Sequence, residues 1–303
     1  MQQTTIKKEI TCSGVGLHSG KKIEMTLLPQ PANSGVRFET GNSSHRRIID
    51  LNPKRVVATG LATTLGDSSC RVSTVEHLLA ALWGLEIDNL LIRLEGEEIP
   101  IMDGSAFDFV TLLHRVGIKE LRSPRRVLRI RKKVRYEKDG KVIEAVPYNG
   151  FRVQYTINFA HKLVGEQKFT FVLDRLAFMR DIAPARTFGF FQDIEMLREK
   201  GLALGGSLEN AVVLDENGVM NPEGLRFRNE FVRHKILDFI GDMALIGAPL
   251  QGAFSVYCSG HAFNNSFLRF LQEHQDDFLE EVSLQAAPPG AAAPSFLGNA
   301  VCA

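Results

Sequence analysis

Apolar and polar residues alternate from Lys22 to Leu28, with Ile23, Met25 and Leu27 on one side, and again through Phe151, Val153, Tyr155, Ile157 and Phe159. A period of two predicts half-buried strands. Residues 106–117 (AFDFVTLLHRVG) instead have helical spacing, with Phe109, Val110, Leu113 and Val116 on one side and Gly117 as the stop. Two longer stretches share a layout: EHLLAALWGLEIDNLLIRLEG, beginning at Glu76, and HKILDFIGDMALIGAPLQGAFSVYCSG, beginning at His234. Each is an apolar helix, a turn containing glycine, and a strand. This predicts an α+β fold of two related domains, each a sheet layer with helices, the helices packed together between the sheets. Such packing would bring His77 and His234 close. The basic run KELRSPRRVLRIRKKVRY contains Pro124 and leads into a new strand, so the domains are expected to be 1–124 and 125–285. The tail, 286–303, is biased toward Ala and Pro and is expected to be disordered.

Residues 231–246 (FVRHKILDFIGDMALI) are apolar almost all round, as expected of a helix buried between layers. Its polar exceptions, His234, Asp238 and Asp242, recur at i, i+4 and i+8 and stack on one face. Gly241 lies near that face and leaves room for a close neighbour, although glycine costs about 1 kcal/mol of helix propensity relative to alanine. A buried carboxylate needs a positive or donating partner. A divalent metal fits, and so does a network built from Lys235, Arg233 and backbone donors.

Glu76 and His77 open the matching helix, where Ala80 and Ala81 leave space above the imidazole. Ser73-Thr74-Val75-Glu76 also fits a capping box, with Ser73 as N-cap and Glu76 at N3. His261, in SGHAFNN, follows the strand at 253–257 and is expected on a loop held by a rigid scaffold, where catalytic groups often sit. A solvent-exposed turn histidine is the competing account. Together His77, His234 and Asp238 supply three ligands and leave a position open, as in a catalytic zinc site. Two imidazoles and a carboxylate suit Fe2+ as well as Zn2+, so a ferrous oxygenase is a rival class. A sugar-nucleotide binding module with a structural polar stripe is another. Glu76 and His261 would then have to be explained; beside a metal they can act as proton acceptor and donor.

With 36 basic and 35 acidic residues in 303, no overall field favours nucleic acid or an anionic membrane. The four cysteines, Cys12, Cys70, Cys258 and Cys302, show no C-x-x-C spacing, so thiolate metal binding and a redox dithiol are not expected. No stretch has signal-peptide or transmembrane character, and a cytoplasmic protein is expected.

At these residues the chain resembles the UDP-3-O-acyl-N-acetylglucosamine deacetylases, up to about residue 285. The landmarks are SGVGLHSG at 13–20, STVEHLLAAL at 73–82, PIMDGSA at 100–106, ARTFGF at 185–190, RNEFVRHKILDFIGDMALIG at 228–247 and SGHAFNN at 259–265. Their joint order is far more specific than any one of them. The resemblance implies zinc-dependent removal of acetate from UDP-3-O-(3-hydroxyacyl)-N-acetylglucosamine, the committed step of lipid A biosynthesis; a monomer is expected. It implies His77, His234 and Asp238 as metal ligands, Glu76 as general base, and His261 as the protonated partner of the departing amine, held by Asp242. Thr187 would donate to the oxyanion, Lys235 would touch substrate, and Phe188 would lie near the sugar. Phe159, Lys141 and His161 match nucleotide contacts, although alternation equally places Phe159 in the core. An insert at 191–219 would carry the acyl channel, lined by Leu202, Leu204, Ala211, Val212 and Val213. Asn158 stands where the family pattern has Asp, and Cys258 where a basic residue commonly precedes SGH.

Overall fold

The computed structural model describes residues 1–42 and 45–284. The tail at 286–303 and Cys302 lie outside the described residues. The chain opens with β1 (Gln2–Ile6) and then lays down β2 (Ile10–Val15), β3 (Lys22–Pro29), β4 (Val36–Asn42) and β5 (His45–Asp50). A small sheet of β6 (Val56–Ala58), β7 (Thr64–Gly66) and β8 (Arg71–Val72) precedes helix α1 (Glu76–Gly84) and β9 (Leu90–Glu95). The first main sheet has the order β2-β3-β9-β4-β5, with β9 antiparallel to β3 and parallel to β4. Ile23, Met25 and Leu27 are buried on β3, as the alternation predicts.

Helix α2 (Phe107–Val116) buries Phe109, Val110, Leu113 and Val116. Each apolar side chain so buried stabilises by roughly 1.5–3 kcal/mol. Gly117 ends the helix at φ 79°, a conformation that a Cβ would strain. Next come β10 (Ile118–Ile130), β11 (Val134–Lys138), β12 (Lys141–Val146), β13 (Phe151–Asn158) and β14 (Glu166–Val172). A less regular stretch holds α3 (Arg175–Asp181), β15 (Phe188–Phe190), α4 (Ile194–Glu199) and β16 (Val212–Leu214). The chain then forms α5 (Glu230–Met243), β17 (Leu250–Tyr257), α6 (His261–Glu273), α7 (Gln275–Phe278) and β18 (Leu279–Leu284).

The second sheet repeats the first. Central β17 runs antiparallel to β12 and parallel to β13, and the hairpins β11-β12 and β13-β14 flank it as β2-β3 and β4-β5 flank β9. The fold is thus α+β with two related layers. The expected boundary at Pro124 falls inside β10, whose first part pairs with β1 and whose second part pairs with β18 and the start of β17. One strand therefore belongs to both halves.

Between the layers α1 lies against α5. The approach is closest at Gly241: a Cβ built there would stand 2.0 Å from the backbone oxygen of Glu76. Two effects of Gly241→Ala oppose each other, a helix-propensity gain of about 1 kcal/mol and a clash with backbone that cannot swing aside. The clash should win. The variant is expected to lose about 1–3 kcal/mol of stability, read as a lower urea midpoint at unchanged m-value.

Candidate metal centre and acid–base pair

The start of α1, the polar face of α5 and the start of α6 meet in a cavity of about 330 Å³. Glu76, His77, Lys141, Thr187, Phe188, His234, Lys235, Asp238 and His261 are all among its lining residues. His77, His234 and Asp238 are buried, and one ligand atom from each lies within 4.8 Å of the others. The two imidazole centroids are 4.9 Å apart with ring planes at 83°.

The polarity of these atoms is informative. His234 Nδ1 donates to the Ala185 carbonyl at 3.1 Å, so Nε2 presents its lone pair toward Asp238 Oδ1 at 3.3 Å. His77 Nε2 faces the same oxygen at 3.5 Å, and Asp238 Oδ1 receives no hydrogen bond. A tetrahedral centre with bonds of about 2.0–2.1 Å has ligand–ligand edges of about 3.3–3.4 Å. The residues therefore fit a divalent cation. Burial drives the His234 pKa down to about 3, against the pull of Asp238 and with help from His77 and Lys235, so the imidazole is neutral and able to ligate. The competing network is partly real: Lys235 Nζ donates to Asp238 Oδ2 at 2.7 Å. Arg233 turns away, donating to Asn229 and to the Asp181 carbonyl. Lys235 thus occupies one oxygen of Asp238 and leaves the other to the histidines.

Glu76 does not form the capping box. Helix α1 starts at Glu76 itself, without a side-chain cap, because Thr74 takes φ 59° and Ser73 hydrogen-bonds across to residues 97 and 99. The carboxylate is free for another duty: Oε2 accepts the Thr63 N–H at 3.0 Å and Oε1 faces His261 Nε2 at 3.9 Å. Burial raises the Glu76 pKa, and nearby His261 and His77 offset part of that rise.

His261 is the first residue of α6, with Gly260 as N-cap, and not a loop residue. Burial disfavours the charged imidazole, and so does a helix N-terminus. The carboxylates of Asp242 and then Glu76 outweigh both and push its pKa up to about 10. Asp242 Oδ2 accepts His261 Nδ1 at 2.8 Å and Asn264 Nδ2 at 2.8 Å, while Oδ1 accepts the Thr63 hydroxyl at 2.7 Å. Thr63 and Asn264 were not legible as site residues. Nothing local marks a threonine between two short strands; Asn264 lies at i+3 from His261, a spacing that matters only once 261 is known to start a helix.

From Phe188, in the cavity wall, a run of aromatic contacts leads away from the metal ligands. Phe188 packs on Phe231 at 4.9 Å and on Phe159 at 5.6 Å, Phe159 meets Phe190 at 6.0 Å, and Phe190 stacks on His161 at 5.2 Å. This aromatic file runs outward from α5. Phe159 sits just past β13 and is half-buried, and His161 Nε2 is bonded to the Asp215 carbonyl at 3.0 Å. In the 191–219 segment Val212 and Val213 are buried in β16, Leu202 and Ala211 are half-buried, and Leu204 is exposed. That segment meets the first half where Gly205 N–H bonds to the Leu17 carbonyl at 3.0 Å; Leu17 lines the cavity. Asn158 is exposed, and Cys258 adopts φ 50° beside the start of α6.

Three donor atoms beside a cavity, with a buried carboxylate and an imidazole next to them, are the parts that a metal-assisted hydrolase needs. The chain belongs to the LpxC family, UDP-3-O-acyl N-acetylglycosamine deacetylase, which it matches over residues 3–273. It is 55% identical over 302 residues to the UDP-3-O-acyl-N-acetylglucosamine deacetylase of Oleidesulfovibrio alaskensis, covering 96% of this chain and 98% of that one. The protein of that name from Nitratidesulfovibrio vulgaris is 56% identical over 287 residues, covering 95% and 93%, and that from Lawsonia intracellularis is 52% identical over 273 residues, covering 90% of each.

Thr63→Val keeps shape and the backbone N–H to Glu76 but removes the hydroxyl bond to Asp242. Hydrogen bonds to charged groups stabilise by about 1.5–3 kcal/mol. Denaturant titration is expected to show a loss of that size, and an unchanged midpoint would mean that Asp242 does not depend on Thr63.

Proposed function

We propose that this chain hydrolyses the N-acetyl amide of UDP-3-O-acyl-N-acetylglucosamine, releasing acetate in lipid A biosynthesis, with Zn2+ held by His77, His234 and Asp238. The observation that carries it is the convergence of these three ligand atoms within 4.8 Å, beside Glu76 and His261, in a member of this family. The donor set also accepts Fe2+. When bound, the cation polarises the amide carbonyl and lowers the pKa of water from about 15.7 toward about 7.

The chain's own groups carry the protons. Glu76, raised above the ordinary carboxylate range by burial, accepts a proton from the attacking water as its oxygen bonds to the carbonyl carbon. The Thr187 hydroxyl donates to the oxygen on which negative charge develops. His261, with Nδ1 held by Asp242, directs Nε2 into the site and passes its proton to the amide nitrogen as the C–N bond breaks. Acetate and the free amine result. Lys235 holds Asp238 Oδ2 and contacts the substrate from the cavity wall, and Phe188 supports the sugar. Lys141 at the rim, with Phe159 and His161 along the aromatic file, makes the nucleotide contacts. The 191–219 segment receives the acyl chain.

The two histidines and Asp238 come from residues on either side of 124, and the domain division 1–124 and 125–285 is part of this proposal, with β10 as the shared seam. So are a monomeric state and a cytoplasmic location; no helix among the described residues is long and apolar enough to cross a membrane.

Elemental analysis of the purified protein, coupled to acetate release from the UDP-sugar under anaerobic conditions, tests the proposal. One zinc per chain with oxygen-independent turnover is expected; turnover that requires oxygen would end it. His234→Ala should lose both cation and turnover while remaining folded. Glu76→Ala should keep the cation and lose roughly 10²–10⁴-fold in rate, the usual contribution of a general base.

Activity should be bell-shaped in pH, since the active form has Glu76 ionised and His261 protonated. Turnover falls as pH drops through the raised Glu76 pKa, and falls again as pH rises toward the His261 value of about 10. A bound dication repels the imidazolium proton and draws the alkaline limb lower. A flat profile between about pH 5 and about pH 9 would remove both assignments.

A further inference from the structure

A buried ion pair is a poor way to stabilise a fold, because desolvating two charges takes back most of their attraction. Arg186 is the bulkiest fully buried side chain among the described residues, and its partner Glu230 is 0% exposed. Neither lines the cavity. Glu230 is the first residue of α5, and its carboxylate closes on the segment before Thr187. Oε1 accepts Arg186 Nε at 2.9 Å and the Arg186 backbone N–H at 3.0 Å, and Oε2 accepts the Arg226 N–H at 2.6 Å and Arg186 Nη2 at 3.3 Å. The rest of the guanidinium is also committed, Nη1 to Glu223 at 2.5 Å and Nη2 to the Gly224 carbonyl at 2.7 Å. Arg226 holds the same segment from the other side, donating to the Pro184 carbonyl at 3.0 Å and to Asp103 at 2.7 Å.

Between the two gripped residues lies Ala185, whose carbonyl receives the Nδ1 proton of His234 at 3.1 Å. Glu230 and His234 are one turn apart on α5. The geometry points to Arg186 and Glu230 as positioning residues, whose buried pair fixes the 184–187 segment to the start of α5. The Ala185 carbonyl then sets the tautomer and ring plane of His234, and Thr187 keeps its place in the cavity wall. This rests on His234 being a metal ligand, as proposed above. Ligating histidines depend on such outer acceptors for orientation. A lysine cannot replace Arg186 here, because one ammonium cannot reproduce a planar fork shared among three acceptors.

The test uses the full-length protein with Arg186→Lys and the double variant Arg186→Met/Glu230→Gln, which removes the buried charges while the amide oxygen can still accept a backbone N–H of the segment. Zinc affinity is measured by competition with a fluorescent chelator, and the His234 ring tautomer by ¹⁵N NMR of labelled histidine. Both variants should bind zinc roughly 10–100-fold more weakly, lose the single Nδ1–H signal of His234, and lose kcat with little change in KM. Should Arg186→Lys fail to fold, the double variant carries the comparison, with Glu230→Gln, which keeps an oxygen acceptor, as the milder third. Variants that unfold earlier yet retain wild-type zinc affinity and an unchanged His234 signal would overturn the inference and leave a merely structural pair. Wild-type protein that binds no zinc would overturn the proposed function instead, while the tautomer signal would still judge the clamp.

Discussion

The molecule depends on the backbone-to-backbone meeting of α1 and α5. Gly241 has no side chain to hold the helices apart, and a single added carbon would fall on the Glu76 carbonyl. The contact sets the start of α1 against the last turn of α5, and so fixes which side chains of the two helices face each other. With the helices this close, the ring centroids stand 4.9 Å apart around Asp238. The same contact buries Glu76, Asp238 and Asp242 together, three carboxylates side by side in the interior. Their mutual repulsion is opposed by Lys235 and the His261 imidazolium, and a divalent cation would complete the balance.

The repeated strand plan explains how one chain assembles such a cluster. Each half contributes a central strand preceded by a helix, and the two helices face each other between the sheets. The halves differ in what they carry. The first supplies Glu76 and one imidazole at the very start of α1. The second supplies the remaining imidazole and both aspartates along the length of α5, and His261 at the start of α6.

Much of this was legible in the sequence, because burial imposes a period. The alternation on β3 and β13, the apolar face of α2, and the His234, Asp238, Asp242 stripe all follow from local geometry that leaves its mark on neighbouring residues. What was not legible lies where the deciding contact is distant in sequence. The capping box at Ser73 gives way to cross-strand bonds from residues 97 and 99 and to the left-handed Thr74. His261 begins a helix behind a glycine that announces nothing, since Gly260 offers no capping side chain. Thr63 reaches Glu76 and Asp242 across 13 and 179 positions, which no periodicity can reveal. The sharing of β10 between the halves is of the same kind: its partners, β1 and β18, sit at opposite ends of the described chain.

That shared strand bears on biogenesis. The Met1 ammonium donates to the Leu284 carbonyl at 3.0 Å, so the beginning and end of the described chain are stitched together along one strand. A nascent polypeptide emerging from the ribosome exposes His77 long before His234 exists, and its first half lacks the edge partners that arrive last. The three ligand atoms can therefore meet only after both halves of the chain have been made, because His77 is synthesised well before His234 and Asp238.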